Sequence, residues 1–587
     1  MFERSSQLIN QKFREYLIPT TLSGISMMLG SIVDGIIVGF TINAQAMAAV
    51  NVTEPIVLLY QTLFFLFGMG GATLVAIAKG QRDEHKAHLI YTLGAGIVLG
   101  LSVLIIILSL FFLDGMVGLI CNNADLFVPA RTYSRVILMG APFMLFVPAM
   151  VYFIRVDGKP KLSANILLVA NVVNLIMDLV YIKVFGMGID GAALATVTGY
   201  VVGFALVIKY WLSKDRTLRL VPVKREDLPL IREMANSGMA GAVNTLLLTV
   251  KTLVVNRTVL AVGGADGMAV FAVCNFAISF VSMFNSGAAD TMVPLVGMLY
   301  GEQDWQGIRF ALKRTYTFVL AASVLSVALL AGLPVPILGL FSVTDPVQVA
   351  LGIPALRIFS FSLIGVGLSY STMYYLQTLK HRNLSVTISL LRGFVVIIPL
   401  VLILSSRFGL PGIWWAYTLS EALTILITLG LCAITLRRSG GRYTGLFLFE
   451  NPSEEAVYDV TVRGQAQDAV SISDNLIAFG QESGLTATQA SLVGLMAEEA
   501  VVRIARYNDG SAPLDIDVLC RILDDDILLS LRDDGEPFDA VTAQNMETAG
   551  DAFDNITVMR RIAKQVDYVR TLGLNNTVVL LDRKESP

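Results

Sequence analysis

Charge is scarce in this chain. Asp, Glu, Lys and Arg make up 15% of its 587 residues, and 55% are hydrophobic. An ordinary soluble protein carries about 25% charged residues. The shortfall argues against a simple soluble globule. Cysteine is also sparse. Cys121, Cys274, Cys432 and Cys520 are scattered, so neither a paired disulfide framework nor metal-ligand spacing is present. Cys520 is expected to be a buried free thiol. The net charge of −3 gives no basis for nucleic-acid binding. No cleavable signal is visible, and the opening MFERSSQLINQKFREY is polar and amphipathic.

Long apolar runs are plentiful up to about residue 436. Their spacing allows about twelve spans of roughly 20 residues, the length that crosses a bilayer core. Alternate loops are basic: Lys79, Arg82 and Lys86; Arg155, Lys159 and Lys161; the stretch from Lys209 to Arg232; Arg309, Lys313 and Arg314; Lys380 and Arg382; Arg437 and Arg438. The loops between them, such as TINAQAM and AVGGADG, have almost no Lys or Arg. The positive-inside rule puts the basic loops in the cytoplasm. An even number of spans then leaves both termini inside a multi-pass protein of the plasma or inner membrane.

The membrane part repeats itself. LVAIAKGQRD at 74–83 matches LVGMLYGEQD at 295–304, and YFIRVDGKPKLS at 152–163 matches YYLQTLKHRNLS at 374–385. Gly191 in FGMGIDGAA corresponds to Gly412 in FGLPGIW. These matches are offset by 221 or 222 residues. They imply two parallel six-span lobes with a pathway between them. The expected organisation is an N-terminal tail over 1–14, an N-lobe over 15–220, a C-lobe over 221–440 and a soluble domain over 441–587.

Two acids sit inside different spans, Asp34 and Asp178. A carboxylate in hydrocarbon is costly and usually marks an ion or proton path. Asn171, Asn174 and Asp178 are spaced by three and four, so they share one helix face. Asp178 lies about 25 Å along its span at 1.5 Å per residue, and Asp34 lies at a similar depth. Thr196, near the outer end of the sixth span, reaches the same level. These oxygen ligands suit Na⁺, and the same carboxylates suit H⁺. The alternative is that Asn174 and Asp178 only hydrogen-bond helix to helix. Pro19 bends the first span, either as a gate that follows the charge of Asp34 or as a static kink. Lys251, Asp290 and Arg392 are each either cavity residues, interlobe pairs or helix-end anchors, and Glu54 lies near an outer end. Val396 and Leu400 stand where the second copy would carry Asn174 and Asp178, so the coupling chemistry is asymmetric.

The stretch IPTTLSGISMMLGSIVDGIIVGFTINAQAMAAVNVTEPI, with IRVDGKPK, NVVNLIMDLVYIKVFGMGIDGAALAT and RFGLPGIWWAYTLSE, resembles the multidrug and toxic compound extrusion (MATE) transporters over about residues 10–440. The resemblance implies an all-α fold of twelve helices in two six-helix lobes. It implies antiport of cationic or amphipathic compounds against Na⁺ or H⁺. In the branch resembling DinF, the cation site maps to Asp34, Asn174, Asp178 and Thr196. The acids of the NorM-like branch in helices 7 and 10 are missing here, which puts a second-lobe cation site in doubt.

From about residue 445 charge becomes frequent. LDIDVLCRI, ILLSLRDD and TVVLLDRK read as strands. DNLIAFGQESG, ATQASLVGLMAEEAVVRIARY and DNITVMRRIAKQVDY read as helices. This α+β tail resembles the histidine-kinase-like ATPase fold of the anti-sigma serine-kinase group, in decayed form. Asp533 and Gly535 stand in the acidic-glycine box, and Glu499 in the N-box. Arg503 replaces the Mg²⁺-binding Asn. Phe553 and Asn555 stand at glycine positions of the phosphate loop, where a side chain obstructs approach to phosphate. The expectation is a transporter rather than an enzyme, with Na⁺ or H⁺ rather than a nucleotide as its cofactor. Its expected partners are a small-molecule substrate, the bilayer and a cytoplasmic regulatory protein. Two alternatives stand: a membrane-anchored signalling protein whose tail is the output, and a lipid-precursor flippase.

Overall fold

A computed structural model describes residues 3–42, 44–121, 124–341, 343–451, 456–463, 466–508, 514–540 and 562–583. The chain divides into two compact units. One is Phe13–Thr435; the other combines Met1–Lys12 with Leu436–Pro587.

The larger unit is helical because its sequence is apolar over lengths that cannot leave backbone polar groups unpaired in lipid. Among the described residues, nine helices are long and apolar enough to cross a membrane. A bent pair, Asp125–Met139 with Ala141–Val156, makes a tenth if counted as one span. The 73-residue run Pro229–Gly301 would measure about 110 Å if straight, far beyond a bilayer core. It turns at Gly264, where φ is +58°, within the AVGGADG loop. Only a residue without Cβ takes that backbone easily.

The repeat read from the sequence recurs in the backbone. Arg82 and Gln303 both have positive φ, 62° and 57°. So do Gly158 and Lys380, and Gly188 and Gly409. Asp83 and Asp304 cap the helices that follow, accepting from Lys86 N at 2.9 Å and Gly307 N at 2.7 Å. Counterparts also meet directly. A Cβ added to Gly80 would lie 2.2 Å from Met298 O and 2.9 Å from Gly301 Cα. One added to Gly301 would lie 2.2 Å from Ile77 O and 2.8 Å from Gly80 Cα.

The motifs AKGQRD and RVDGK meet at one buried ion pair. Lys79 Nζ donates to Asp157 Oδ1 at 2.6 Å, and Tyr210 Oη donates to Asp157 Oδ2 at 2.7 Å. The second copy has Tyr300 and Leu379 at the equivalent positions, so the polar contact belongs to one copy.

In the smaller unit, a short hairpin joins β1 (Tyr443–Thr444) to β2 (Phe449–Glu450). A five-stranded antiparallel sheet follows: β3 (Ala456–Arg463), β4 (Asp515–Ile522), β5 (Asp526–Asp533), β6 (Gln565–Thr571) and β7 (Leu574–Asp582). Its strand order is β3-β4-β5-β7-β6. Helices Ala466–Glu482 and Ala487–Tyr507 share a core with it through residues such as Ile472, Val493, Val460 and Val518. The three expected strands and the first two expected helices are present. The third expected helix is corrected: its residues 554–561 lie outside the described set, and Gln565–Tyr568 belong to β6. The cause is a two-residue hairpin, Leu572-Gly573, with φ of 55° and 77°. That turn pairs Thr571 with Leu574 and draws the preceding residues into the sheet.

Candidate functional site

Asp34 lies on the helix Gln7–Thr41. Asp178 closes the helix Pro160–Asp178, just before a π-helical turn over Leu179–Val184. Such turns re-aim side chains and recur at functional sites. The two carboxyl groups stand within side-chain hydrogen-bonding reach of each other. Asp178 is completely buried and Asp34 partly so. Asp34 Oδ1 and both oxygens of Asp178 are buried and receive no hydrogen bond. Two ionised carboxylates in contact repel strongly away from water. A proton or a small cation between them removes the repulsion and supplies the missing partner.

Asn174 and Thr196 join this pair. Asn174 Nδ2 donates to Thr196 Oγ1 at 3.3 Å, and Thr196 Oγ1 donates to Ala192 O at 3.2 Å. Asn174 Oδ1 and the Thr196 hydroxyl add neutral oxygens to the acid pair, the donor chemistry of a hard cation. No group of three or more His, Cys, Asp or Glu gathers among the described residues, so the donor set holds two acids plus neutral oxygens. Tyr133, which the sequence reading missed, is buried and stands close to Thr196 and to both carboxylates. Nothing in its local sequence, RTYSRV, distinguishes it.

Asn171 does something else. Its Nδ2 donates to Ser26 Oγ on the first helix at 3.0 Å. A Cβ added to Gly30 would lie 3.0 Å from Asn171 Oδ1. The helices Gln7–Thr41 and Pro160–Asp178 therefore approach closely beside the acids. Pro19 lies in a helix that continues through it. Next to it, Thr20 Oγ1 reaches Gly287 O and Thr291 Oγ1, both at 3.0 Å, which pins this level of the first helix to the part of Pro229–Gly301 that follows Gly264.

A cavity of about 620 Å³ lies within the same unit. Its wall includes Met27, Met28, Met268 and Met283 with Phe65 and Phe276. Thioethers and rings form an adaptable apolar surface. Asp290 lines the cavity and faces Arg155 at 3.6 Å. Arg155 Nε and Nη1 make no hydrogen bond, so this ion pair is loose. Asp34 and Asp178 are absent from the cavity's described lining, although Thr20, Ser23 and Met27 of the first helix belong to it. The remaining candidates fall elsewhere. Lys251 lies 5.7 Å over the Tyr417 ring. Arg392 pairs with Glu421 at 3.2 Å, a partner the sequence reading did not identify. Glu54 begins the helix Glu54–Leu63 and is exposed.

In the tail, the residues read as a nucleotide site bond to one another. Asp533 Oδ1 accepts from Asn575 Nδ2 at 2.8 Å and from Gly535 N at 2.9 Å. Asn508 Oδ1 accepts from Glu536 N at 3.0 Å, and a Cβ on Gly535 would lie 2.6 Å from that same oxygen. Glu499 pairs with Arg503 at 3.3 Å, and Arg503 Nη1 donates to Ala540 O at 3.3 Å. The Tyr507 and Phe538 rings stack at 4.2 Å. Phe553 and Asn555 lie outside the described residues.

Burial raises the Asp533 carboxyl from 3.8 to about 6, and the bonds from Asn575 and Gly535 oppose that rise. The folded tail therefore holds this proton more tightly than the unfolded chain does. Its contribution is complete below about pH 4 and disappears as pH rises through 6. The expected loss is on the order of 2–3 kcal/mol. Asp533→Asn should flatten the dependence. Tail unfolding followed from pH 4 to 7 checks this, and an unchanged slope in the variant refutes it.

The MatE family model matches residues 19–180 and 241–403. The multidrug export protein MepA of Staphylococcus haemolyticus is 26% identical over 439 residues, 73% of this chain and 94% of that protein. MepA of Staphylococcus aureus strain MRSA252 is 24% identical over 417 residues, 68% of this chain and 90% of that protein. Among solved structures, MATE in complex with MaL6 superposes with a TM-score of 0.68 at 21% identity, covering 73% of this chain and 98% of that one. A MOP superfamily transporter from Pyrococcus furiosus gives 0.66 at 20% identity, covering 75% and 100%.

Proposed function

The chain belongs to the MatE family of membrane transporters, and from that premise we propose that it exports cationic or amphipathic small molecules in exchange for Na⁺ or H⁺ bound at Asp34 and Asp178. The observation that carries this reading is the pair of facing carboxyl groups with three buried oxygens that receive no hydrogen bond. A single Na⁺ has room to coordinate all three, and a single shared proton bridges two of them. Asn174 and Thr196 complete the oxygen set for Na⁺, or orient the acids for a proton.

The substrate occupies the methionine-lined cavity. Asp290 attracts its positive charge once the loose pair with Arg155 yields, and the aromatic walls hold its apolar body. Ion binding changes the packing of the first helix against the helix Pro160–Asp178, with Pro19 as the point of bending. The first helix also lines the cavity, so a change at its acid alters the substrate's surroundings. The lobes then rock between outward and inward access.

Twelve spans follow if the helix Gln7–Thr41 is one crossing and the run Pro229–Gly301 is two, divided at Gly264. The basic loops put both termini and the tail on the cytoplasmic side. The tail acts as a regulatory domain. Its histidine-kinase-like ancestry is supported by the strand and helix pattern alone, and its acidic-glycine box serves internal bonding.

The test is export from proteoliposomes in which Na⁺ and pH gradients are imposed independently. Export driven by one gradient and lost with it supports the reading. Export that follows neither gradient overturns it.

A further inference from the structure

The smaller unit contains a contact that neither the family match nor the coupling site accounts for. Arg4 lies in a polar opening segment, yet only 1% of its side chain is exposed. Its Nη1 is 2.5 Å from Asp459 Oδ1, and its Nη2 is 3.0 Å from Asp517 Oδ2. Asp459 is on β3 and Asp517 on β4, where Asp517 pairs with Thr461. Alternation along a strand puts Asp459, Thr461 and Asp517 on one face of the sheet. Val460, Val462, Ile516 and Val518 then face the helices on the other side, where they join the core.

Backbone and hydroxyl bonds reinforce the ion pair. Ser5 N donates to Thr461 Oγ1 at 2.8 Å, and Thr461 N donates to Glu3 O at 3.4 Å. Thr461 Oγ1 in turn donates to Asp517 Oδ1 at 2.7 Å. β3 is an edge strand, and an uncovered edge leaves N–H and C=O groups unpaired. The opening residues of the chain therefore dock on this edge by added backbone bonding and a buried cation.

Two residues after Ser5 the helix Gln7–Thr41 begins. It continues through Lys12, the last residue of this unit's opening segment, into Phe13 of the other unit. The same helix carries Pro19, cavity residues such as Met27, and Asp34. A continuous helix transmits displacement and rotation along its axis, because each turn is bonded to the next.

We propose that the tail controls export by clasping the start of the first helix, with Arg4 locked between Asp459 and Asp517 as the fastening. The proposal rests on the exporter reading and assigns the tail its point of action. While the clasp is shut, the first helix moves only together with the tail. Opening the clasp frees its amino end and changes the rate of the transport cycle.

The test uses the full chain in proteoliposomes with parent, Arg4→Ala, Arg4→Lys and Ser5→Pro. Hydrogen exchange over residues 456–463 reads the clasp, and the initial export rate reads its consequence. Arg4→Ala leaves two acids facing each other, so exchange there is expected to rise roughly tenfold or more. The export rate should shift several-fold, with the substrate concentration for half-maximal rate unchanged. Arg4→Lys should recover part of both effects. Ser5→Pro deletes the N–H given to Thr461 and should reproduce the effect without a charge change. Unchanged exchange in both Arg4→Ala and Ser5→Pro overturns the clasp. Raised exchange with an unchanged export rate overturns its control of transport. A parent that exports nothing defeats the exporter reading instead, while the exchange measurement still reports on the contact.

Discussion

Asp34→Asn and Asp178→Asn are each expected to abolish ion-driven export while leaving the protein in the membrane at near-parent levels. Either change replaces one carboxylate oxygen with an amide N–H₂. That group can donate to the remaining acid, so the pair satisfies itself without an ion. Stability should therefore hold or rise slightly, since removing one of two like charges relieves repulsion at this buried position. Coupling is lost because the remaining carboxylate, held by the new amide donor, no longer has a neighbouring charge whose repulsion an ion would relieve. The export rate under an imposed gradient should fall by about two orders of magnitude or more, equivalent to roughly 3 kcal/mol of lost ion-dependent driving interaction. Binding of a fluorescent cationic substrate to the detergent-solubilised variants should persist, because neither acid lines the cavity. Gradient-driven export at parent rates in either variant would remove these residues from the mechanism.

Gly301→Val and Gly80→Val carry the second large effect. The nearest atoms to an added Cβ are backbone, Ile77 O in one case and Met298 O in the other, both at 2.2 Å. Backbone carbonyls cannot rotate away as side chains do, so the helices Gly70–Gly80 and Pro229–Gly301 would have to separate. Small residues at such crossings are what permit close packing in lipid. Overpacking of this kind costs about 1–3 kcal/mol where a core can adjust, and a contact between rigid backbones lies at or above that range. Each single variant should lose most export and show a lower unfolding temperature. Size-exclusion profiles with a thermal melt check the stability half, and liposome export checks the other. Parent-like behaviour in both assays would mean that the two helices part freely at this level.

Much of this was legible in the sequence for a physical reason. Lipid demands long apolar runs, so spans announce themselves, and any acid inside one stands out. Asp34 and Asp178 stand out in that way, while Asn174 follows from helix-face spacing and Thr196 from depth; the structure sets the two acids within reach of each other and bonds Asn174 to Thr196. The repeat was legible because GQRD and GEQD both require an unusual backbone followed by a capping aspartate. Partnerships between distant segments were not legible. Tyr133 beside Thr196, Ser26 under Asn171 and Glu421 against Arg392 leave no periodic trace, since each depends on which helices become neighbours. The end of the expected third tail helix failed because local helical pattern lost to a hairpin turn at Leu572-Gly573. Arg4 was invisible for a further reason. Its segment is polar and short, and only its seat on β3 and β4 gives it meaning.

The acids stand apart from the methionine-lined chamber, and this separation has a thermodynamic corollary. With the ion proposed at Asp34 and Asp178 and the cargo proposed in the chamber, the two do not contend for one carboxylate, and any antagonism between them is heterotropic, relayed by the shared helix. Linkage then makes the penalty mutual. Whatever factor the ion takes from the cargo's affinity, the cargo takes the same factor from the ion's. Titrating either against a fixed level of the other should return one common number.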